Sequence, residues 1–426
     1  MKLAVIGSGG REHAIIKKLL ENPEVECIYA LPGNGGIAED AVCVPAVSAT
    51  DIEGAAAFCK KEGIDYAVVT PDDPLVLGMA DALTEAGIPC FGPSKAAAII
   101  EGSKVFSKNL MKKYGIPTAE YAVFSDPKEA YAYVETCKIP IVVKADGLAL
   151  GKGVLIAMTR EEARAAVHTI MEERKFGKSG NEIVIEEFLQ GPEVSVLSFT
   201  DGKTLVPMVS SMDHKRANDG DEGLNTGGMG TIAPNPYYTK DIADRCMREI
   251  FLPTMEAMNK EGRTFRGCLY FGLMLTADGP KVIEYNCRFG DPETQVVLPL
   301  LKSDLLTIMR AVTEGRLSEV PVTWKPESAA CVVIASGGYP ESYEKGYPIT
   351  LPREHGQIYI AGAAVKDGQL VTSGGRVLGV TETAPTLLEA IQKAYRTASE
   401  VSFKNMHMRR DIGKRALSAL GQEMPV

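Results

Sequence analysis

The chain has 426 residues, 45% of them hydrophobic and 24% charged, with 42 glycines and a formal net charge of −9. At roughly 150 residues per domain this length allows about three domains, and the composition excludes a disordered, collagen-like or single-module protein. The acidic balance argues against a nucleic-acid or anionic-membrane surface, and no apolar run of about 18 residues offers a membrane span.

Nine scattered cysteines, none spaced C-x-x-C, are expected to be free thiols of a reducing cytoplasm. Met1-Lys2 leads directly into a strand with no cleavage site, so no export signal is expected.

In chain order, KLAVIG reads as a strand, REHAIIKKLLEN as a helix, VECIYA as a strand, DIEGAAAFCKKEG as a helix, IDYAVVT as a strand and PLVLGMADALTEAG as a helix before IPCFG. Short apolar runs alternating with amphipathic helices predict an α/β domain with a doubly wound parallel sheet over 1–101. From 102 to 324 the pattern becomes α+β. It runs through helical SKVFSKNLMKKYG, a strand pair in PIVVKADGLALGKGVLIA, helical TREEARAAVHTIMEERKFG, and strands EIVIEEFL, EVSVLSFT and LVPMVS. A helix-rich KDIADRCMREIFLPTMEAMNKEG and strands GCLYFGLMLT and GPKVIEYNCR close it. The remainder, 325–426, reads as a small α+β domain: strand AACVVIAS, hairpins with DG and GG turns, and helical LLEAIQKAYRTASEV.

Five segments carry chemistry. Gly9, Gly10 and Arg11 open the first helix, where backbone N–H groups and the helix dipole favour an anion. A dinucleotide fingerprint needs a third glycine where Glu12 stands, so a phosphate-bearing small substrate or a ligand-free tight turn remains. The run Lys144 to Gly153 is a glycine-rich hairpin flap and not a P-loop. Three residues, not four, separate Gly147 from Gly151, and Gly153 follows Lys152 where Ser or Thr would hold Mg²⁺. Such a flap either covers a triphosphate with Lys144 and Lys152 or is a solvated turn.

Glu186 and Glu187 point to opposite sides of a strand, so one faces a cleft or both are edge charges. DHKR, with Asp213 and Lys215, and NTGGMG from Asn225 form a polar loop of about 25 residues, functional or disordered. The strongest run is VIEYNCRFGDPETQ. Period two puts Glu284, Asn286 and Arg288 on one face, two hard oxygen donors beside a guanidinium. No histidine pair has metal-ligand spacing and no G-x-S-x-G is present.

A glycine flap between strands, EEFLQGPE and an acid-x-Asn strand, in this order, resemble an ATP-grasp ligase. With GSGGREHA, DHKR, NTGGMG, EYNCRFGDPETQ and SGGRVLGVTE, essentially the whole chain resembles the phosphoribosylamine–glycine ligase (glycinamide ribonucleotide synthetase) family. The resemblance implies a carbon–nitrogen ligase joining glycine to 5-phosphoribosylamine through glycyl phosphate, with ATP cleaved to ADP and phosphate, in the second step of de novo purine synthesis. It implies an ATP-grasp central domain with a flap lobe at about 120–190.

By that resemblance Lys104, Lys144 and Lys152 contact ATP phosphates, Glu186, Glu187, Phe188 and Leu189 hold adenine, and Glu193 takes the ribose. Glu284 and Asn286 ligate Mg²⁺ or Mn²⁺, and Arg288 and Asp291, with Lys144, serve the transfer. Asp213, Lys215 and Asn225 line the acceptor side, and Gly9, Gly10 and Arg11 hold the sugar phosphate. Met274 stands on the preceding strand, where many ATP-grasp enzymes have an acidic ligand. Alternatives are another acceptor amine, a nicotinamide oxidoreductase, which Glu12 disfavours, or a non-catalytic nucleotide-binding regulator. No nucleic-acid or membrane partner is expected, and the chain is expected to be a monomer or weak homodimer.

Overall fold

The apolar runs of the first hundred residues form five parallel strands in the computed structural model, which describes residues 1–148, 153–353 and 357–424. Lys152 and Gly151 of the flap lie outside the described residues. The strands are β1 (Lys2–Gly7), β2 (Cys27–Pro32), β3 (Val42–Cys43), β4 (Tyr66–Val69) and β5 (Cys90–Phe91), in the order β3-β2-β1-β4-β5. Helices α1 (Gly10–Leu19), α2 (Ile52–Glu62), α3 (Asp72–Leu77), α4 (Met79–Glu85) and α5 (Lys95–Gly102) connect or follow them. Both faces of β1 are covered, which is why its sequence does not alternate. Leu3 and Val5 pack with Ile15, Ile16 and Leu19 of α1. Ala4 and Ile6 pack with Ala55 and Cys59 of α2 and Leu83 of α4. PLVLGMADALTEAG, expected as one helix, is two, meeting at Gly78.

After α6 (Lys104–Tyr114), strands β6 (Tyr121–Phe124), β7 (Ile141–Ala145), β8 (Val154–Ala157) and β9 (Ile183–Glu187) make an antiparallel sheet in the order β6-β9-β7-β8. Helices α7 (Pro127–Thr136) and α8 (Arg160–Val167) cover it. Ala130 and Val134 of α7, Ala163 and Val167 of α8, and Val143 and Ile185 form an apolar cluster of their own. A second antiparallel sheet, β11-β10-β16-β17, contains β10 (Glu193–Thr200), β11 (Leu205–Pro207), β16 (Gly267–Thr276) and β17 (Gly279–Asn286). Residues 188–192 join the two sheets.

The polar segment expected as a long loop is instead paired. Its strands are β12 (Met212–Asp213), β13 (Arg216–Asn218), β14 (Glu222–Asn225) and β15 (Gly230–Ala233), with β13 and β14 forming a hairpin. Backbone hydrogen bonding won over composition because β15 finds an open edge on β18 (Ser328–Ser336). The resulting sheet runs β12-β15-β18-β22-β19, with β19 (Ile358–Ile360) and β22 (Arg376–Ala384), so it crosses from the middle of the chain into the last hundred residues.

Helices α9 (Lys240–Cys246) and α10 (Leu252–Lys260) precede β16; α11 (Thr294–Leu300) and α12 (Leu305–Glu314) follow β17. The β20 (Ala363–Lys366) and β21 (Gln369–Thr372) hairpin turns at Asp367-Gly368, both at positive φ, as the DG pair predicts. Helix α13 (Leu387–Ala398), β23 (Met406–His407) and α14 (Lys414–Ala419) complete the fold.

Arg409, 1% exposed, fastens the β13–β14 hairpin to the C-terminal segment. It donates to Arg216 O at 3.1 Å, pairs with Asp221 at 2.9 Å and grips Asp411 with two bonds of 2.8 Å. Arg409→Met should leave Asp411 without its cation and Asp221 with Arg415 alone, and cost about 3 kcal/mol. An unchanged urea midpoint, with unchanged protease sensitivity at 216–225, would overturn that assignment.

Candidate functional site

Strand β17 carries a bulge at Ile283, because Gly272 of β16 faces Glu284 while Leu273 faces Val282. The extra residue lets Val282 and Tyr285 both enter the apolar core, while Glu284 and Asn286 keep to the other face. Arg288, just past the strand end, donates to Asn286 Oδ1 at 3.1 Å and pairs with the buried Glu101 at 3.2 Å. Glu101 in turn accepts the Cys287 N–H at 2.7 Å.

Burial raises the Glu284 carboxyl, but Lys215, Lys144, Lys104 and Arg288 outweigh it, and the net shift is downward. Glu284 is therefore an ionised oxygen donor set among cations. The Asn286 Nδ2 is buried and has no hydrogen-bond partner among the described residues. A carboxylate and an amide oxygen two residues apart fit a hard divalent cation whose other ligands are phosphate oxygens and water.

Opposite β17, α6 presents Lys104 and Lys108 one turn apart. Lys108 and Lys144, both almost fully buried, hold the buried Glu186 carboxylate at 2.9 and 2.6 Å. Lys144 also donates to Ile283 O at 3.1 Å, and Lys108 to Thr118 Oγ1 at 2.8 Å. Burial pushes Lys108 down to about 8, against the opposing pull of Glu186. Burial and the neighbouring Lys144 also lower Lys104, whose ammonium donates to Gly147 O at 3.0 Å.

The strand alternation puts Glu186 inside and Glu187 outside, as period two predicts. Glu186 is committed electrostatically to two ammonium groups, although its Oε1 makes no hydrogen bond among the described residues. Glu187 accepts the Glu120 N–H at 3.3 Å. Phe188 and Leu189 are half-buried in the segment joining the sheets. Glu193 begins β10 and lies 3.3 Å from Lys215, which is 3.7 Å from Glu284.

On the adjoining wall, burial beside Glu293 raises the Asp213 carboxyl well above its usual range. Glu293 accepts the Tyr270 hydroxyl at 2.9 Å, and Tyr270 meets Ser195 Oγ at 2.8 Å. Asn225 ends β14 opposite Arg216. His214 is locked between Gly230 O, which accepts its Nδ1–H at 3.0 Å, and the Gly413 N–H, which donates to its Nε2 at 3.1 Å.

The first turn is filled from within. The Gly9 N–H donates to Glu12 Oε2 at 2.6 Å, and Arg11 pairs with Glu12 at 2.5 Å and donates to Phe289 O at 3.1 Å. Glu12 folds over Gly7, at φ +131°, where any Cβ would lie 2.5 Å from Glu12 Cγ. The Gly9 amide and Arg11 guanidinium are thus taken by protein oxygens. Gly9 and Gly10 instead permit close approach, since their Cβ atoms would lie 3.1 Å from Asp291 Oδ2 and 2.9 Å from Gln295 Nε2.

The structure therefore gathers Lys104, Lys144, Glu186, Glu193, Lys215, Glu284, Asn286 and Arg288 around one cleft, with Asp213 and Asp291 on its wall. Sequence reasoning missed Glu101, Lys108, Tyr270, Glu293 and Arg376. Only Glu293 and Arg376 lay within segments already marked by their polarity or glycine content.

Three family models match this chain: the N domain of phosphoribosylglycinamide synthetase over residues 1–101, its ATP-grasp (A) domain over 102–294 and its C domain over 329–415. A phosphoribosylamine–glycine ligase of Vibrio cholerae is 47% identical over 424 residues, covering 98% of this chain and 99% of that one. A trifunctional purine biosynthetic protein of Gallus gallus is 47% identical over 99% of this chain and 43% of its own length. The crystal structure of a phosphoribosylamine–glycine ligase from Thermotoga maritima superposes with a TM-score of 0.86 at 37% identity, covering 97% of this chain and 100% of that one. A biotin carboxylase domain from Hydrogenobacter thermophilus, TM-score 0.74 at 15% identity over 99% of this chain and 96% of that one, shares the fold.

Burial, then the nearby Arg409 and Arg415, push His214 down to about 4 from an ordinary 6.5. A histidine held neutral contributes stability that is full above pH 6.5 and is lost as pH falls through about 4. The thermal midpoint of the wild type should therefore fall more steeply over that window than that of His214→Gln. Parallel curves would show that His214 is not the titrating group.

Proposed function

The chain belongs to the phosphoribosylglycinamide synthetase family and is an ATP-grasp ligase; we propose that it joins glycine to 5-phosphoribosylamine through glycyl phosphate. The γ-phosphoryl group of ATP passes to a glycine carboxylate oxygen and ADP leaves. The ribosylamine nitrogen then attacks the acyl carbon, the C–O bond to phosphate breaks, and the nitrogen loses a proton. The products are glycinamide ribonucleotide, ADP and phosphate.

The observation that carries this reading is the placement of Glu284 and Asn286 beneath Lys104, Lys144, Lys215 and Arg288. Four cations around one carboxylate suit a polyphosphate, whose transferring charge they neutralise without reorganising. Held by Glu284 and Asn286, Mg²⁺ or Mn²⁺ would add positive charge at the phosphate oxygens. Lys144, fixed by Glu186 and Ile283 O, keeps its ammonium aimed at the cleft, and Lys108 fixes Glu186 from behind.

Arg288 and Asp291 are proposed to orient glycine. Asp213 and Lys215, with Asn225, are proposed to face the amine. Phe188 and Leu189 with Glu187 are proposed to frame adenine, and Glu193 its ribose. The Gly9–Arg11 turn is proposed to lie beside the sugar phosphate, with Glu12 taking the Gly9 amide. The chain divides, on this reading, at 101 and 324.

No helix among the described residues is long and apolar enough to cross a membrane. The nine unpaired cysteines support a cytoplasmic enzyme, proposed to be a monomer or weak homodimer.

Two outcomes are expected. ADP release should require both glycine and freshly generated phosphoribosylamine; release that ignores phosphoribosylamine would point to another acceptor. Glu284→Gln and Asn286→Ala should each lower kcat by about 100-fold or more. Near-normal turnover of either variant at low Mg²⁺ would remove these residues from the centre.

A further inference from the structure

Arg376, the first residue of β22, belongs to the last hundred residues yet reaches into the cleft wall. Its Nη1 donates to Gly227 O at 2.8 Å, to Asp291 O at 2.9 Å and more weakly to Gly228 O at 3.4 Å. Its Nη2 lies 3.4 Å from Asp291 Oδ2. The same loop is held from the other side, since the Gly227 N–H donates to Tyr339 Oη at 3.1 Å. Gly228, at φ +116°, lets the loop pass where a Cβ would sit 2.5 Å from Pro292 Cδ and 2.6 Å from Asp213 Oδ1. Two loops, 227–228 and 291–292, thus close around Asp213, and one guanidinium spans both.

We infer that Arg376 is a positioning residue for the ligation, setting Asp291 and the 227–228 backbone at a fixed separation across Asp213. This rests on the ligase reaction proposed above. A planar fork with several donors can bridge two carbonyls and a carboxylate at once, which a lysine ammonium on a flexible stem does less well. Stability is a poor account of the contact, because desolvating a guanidinium offsets much of what its ion pair returns.

The C-terminal sheet holds itself to the rest by other means. Strand β15 pairs with β18 along four residues, Gly230 to Ala233, and a separate apolar cluster fills the space beneath α13. What Arg376 adds is geometry. The last hundred residues enter the reaction centre through it.

The experiment compares wild type with Arg376→Met, Arg376→Lys and Arg376→Ala as full-length chains, measuring kcat, the KM values for ATP and glycine, and the thermal midpoint. A misplaced cleft wall should cost Arg376→Met about 100-fold in kcat/KM for glycine, with the KM for ATP within about 2-fold. Arg376→Lys should recover only part of the loss. Millimolar guanidinium should restore part of the activity of Arg376→Ala, a response that a purely structural role would not give.

Wild-type kinetics in Arg376→Met would overturn the inference. So would losses spread equally over both KM values and the midpoint, without guanidinium rescue. If Arg376→Met fails to fold, Tyr339→Phe tests the same wall. It removes only the acceptor of the Gly227 N–H and should lower kcat/KM for glycine several-fold with an unchanged midpoint; no change would count against the inference. A wild-type chain that releases ADP without glycine or phosphoribosylamine would instead defeat the ligase reading, and this inference with it.

Discussion

Lys108 and Lys144 bring two ammonium groups out of water onto the one carboxylate of Glu186, at 2.9 and 2.6 Å. Buried like charges would otherwise repel each other or lose their protons. With Glu186 between them, Lys144 stays within reach of the Ile283 carbonyl, beside the bulge that turns Glu284 and Asn286 into the cleft. Glu186 comes from the sheet of 121–187, Lys108 from α6 and Ile283 from the second sheet. The three-way contact therefore fixes the positive face of the cleft from three elements, which are also tied by Lys104 N–H to Asp146 O and by the Thr118 hydroxyl to Val282 O. The acidic net charge of the chain has no bearing on this, since the local arrangement, screened from bulk water, decides the field an anion meets.

Much of the scaffold could be read from the residues. The continuous apolar run of β1 implies a strand covered on both sides, and Leu3 and Val5 against Ala4 and Ile6 show both covers. The Glu284-x-Asn286 pattern could be read as well, because period two survives beyond the bulge. Glu12 could be read only negatively, as a glycine that was missing; that its carboxylate would cap the Gly9 amide depends on how the side chain folds back over Gly7. Lys108 was hidden for a different reason. A lysine in an amphipathic helix is ordinarily a solvated charge, and only the packing of α6 against β9 buries it.

The contacts that were illegible are mostly long-range. Arg376 meets Asp291 and Gly227 across more than eighty residues of chain, and no periodicity links them. The segment 212–233 shows the same limit. Its composition suits an irregular loop, but β15 pairs with an edge that the chain supplies only at Gly230-to-Val332 separation. Pairing satisfies backbone groups that a buried loop would leave orphaned, and that requirement outweighs local propensity.

The lobe from Tyr121 to Glu187 closes on itself. The Glu187 N–H donates to Glu120 O at 2.9 Å, so the chain leaves the lobe beside the place where it entered, and α7, α8 and the sheet bury their apolar faces against one another. A unit with adjoining ends and a private core is, in architectural terms, an insertion. Its ties to the host run through Lys144 and Glu186 and through Asp146 and Gly147, which meet residues 103–105. Such modularity gives the lobe a packing of its own, tied to the rest of the chain at those residues.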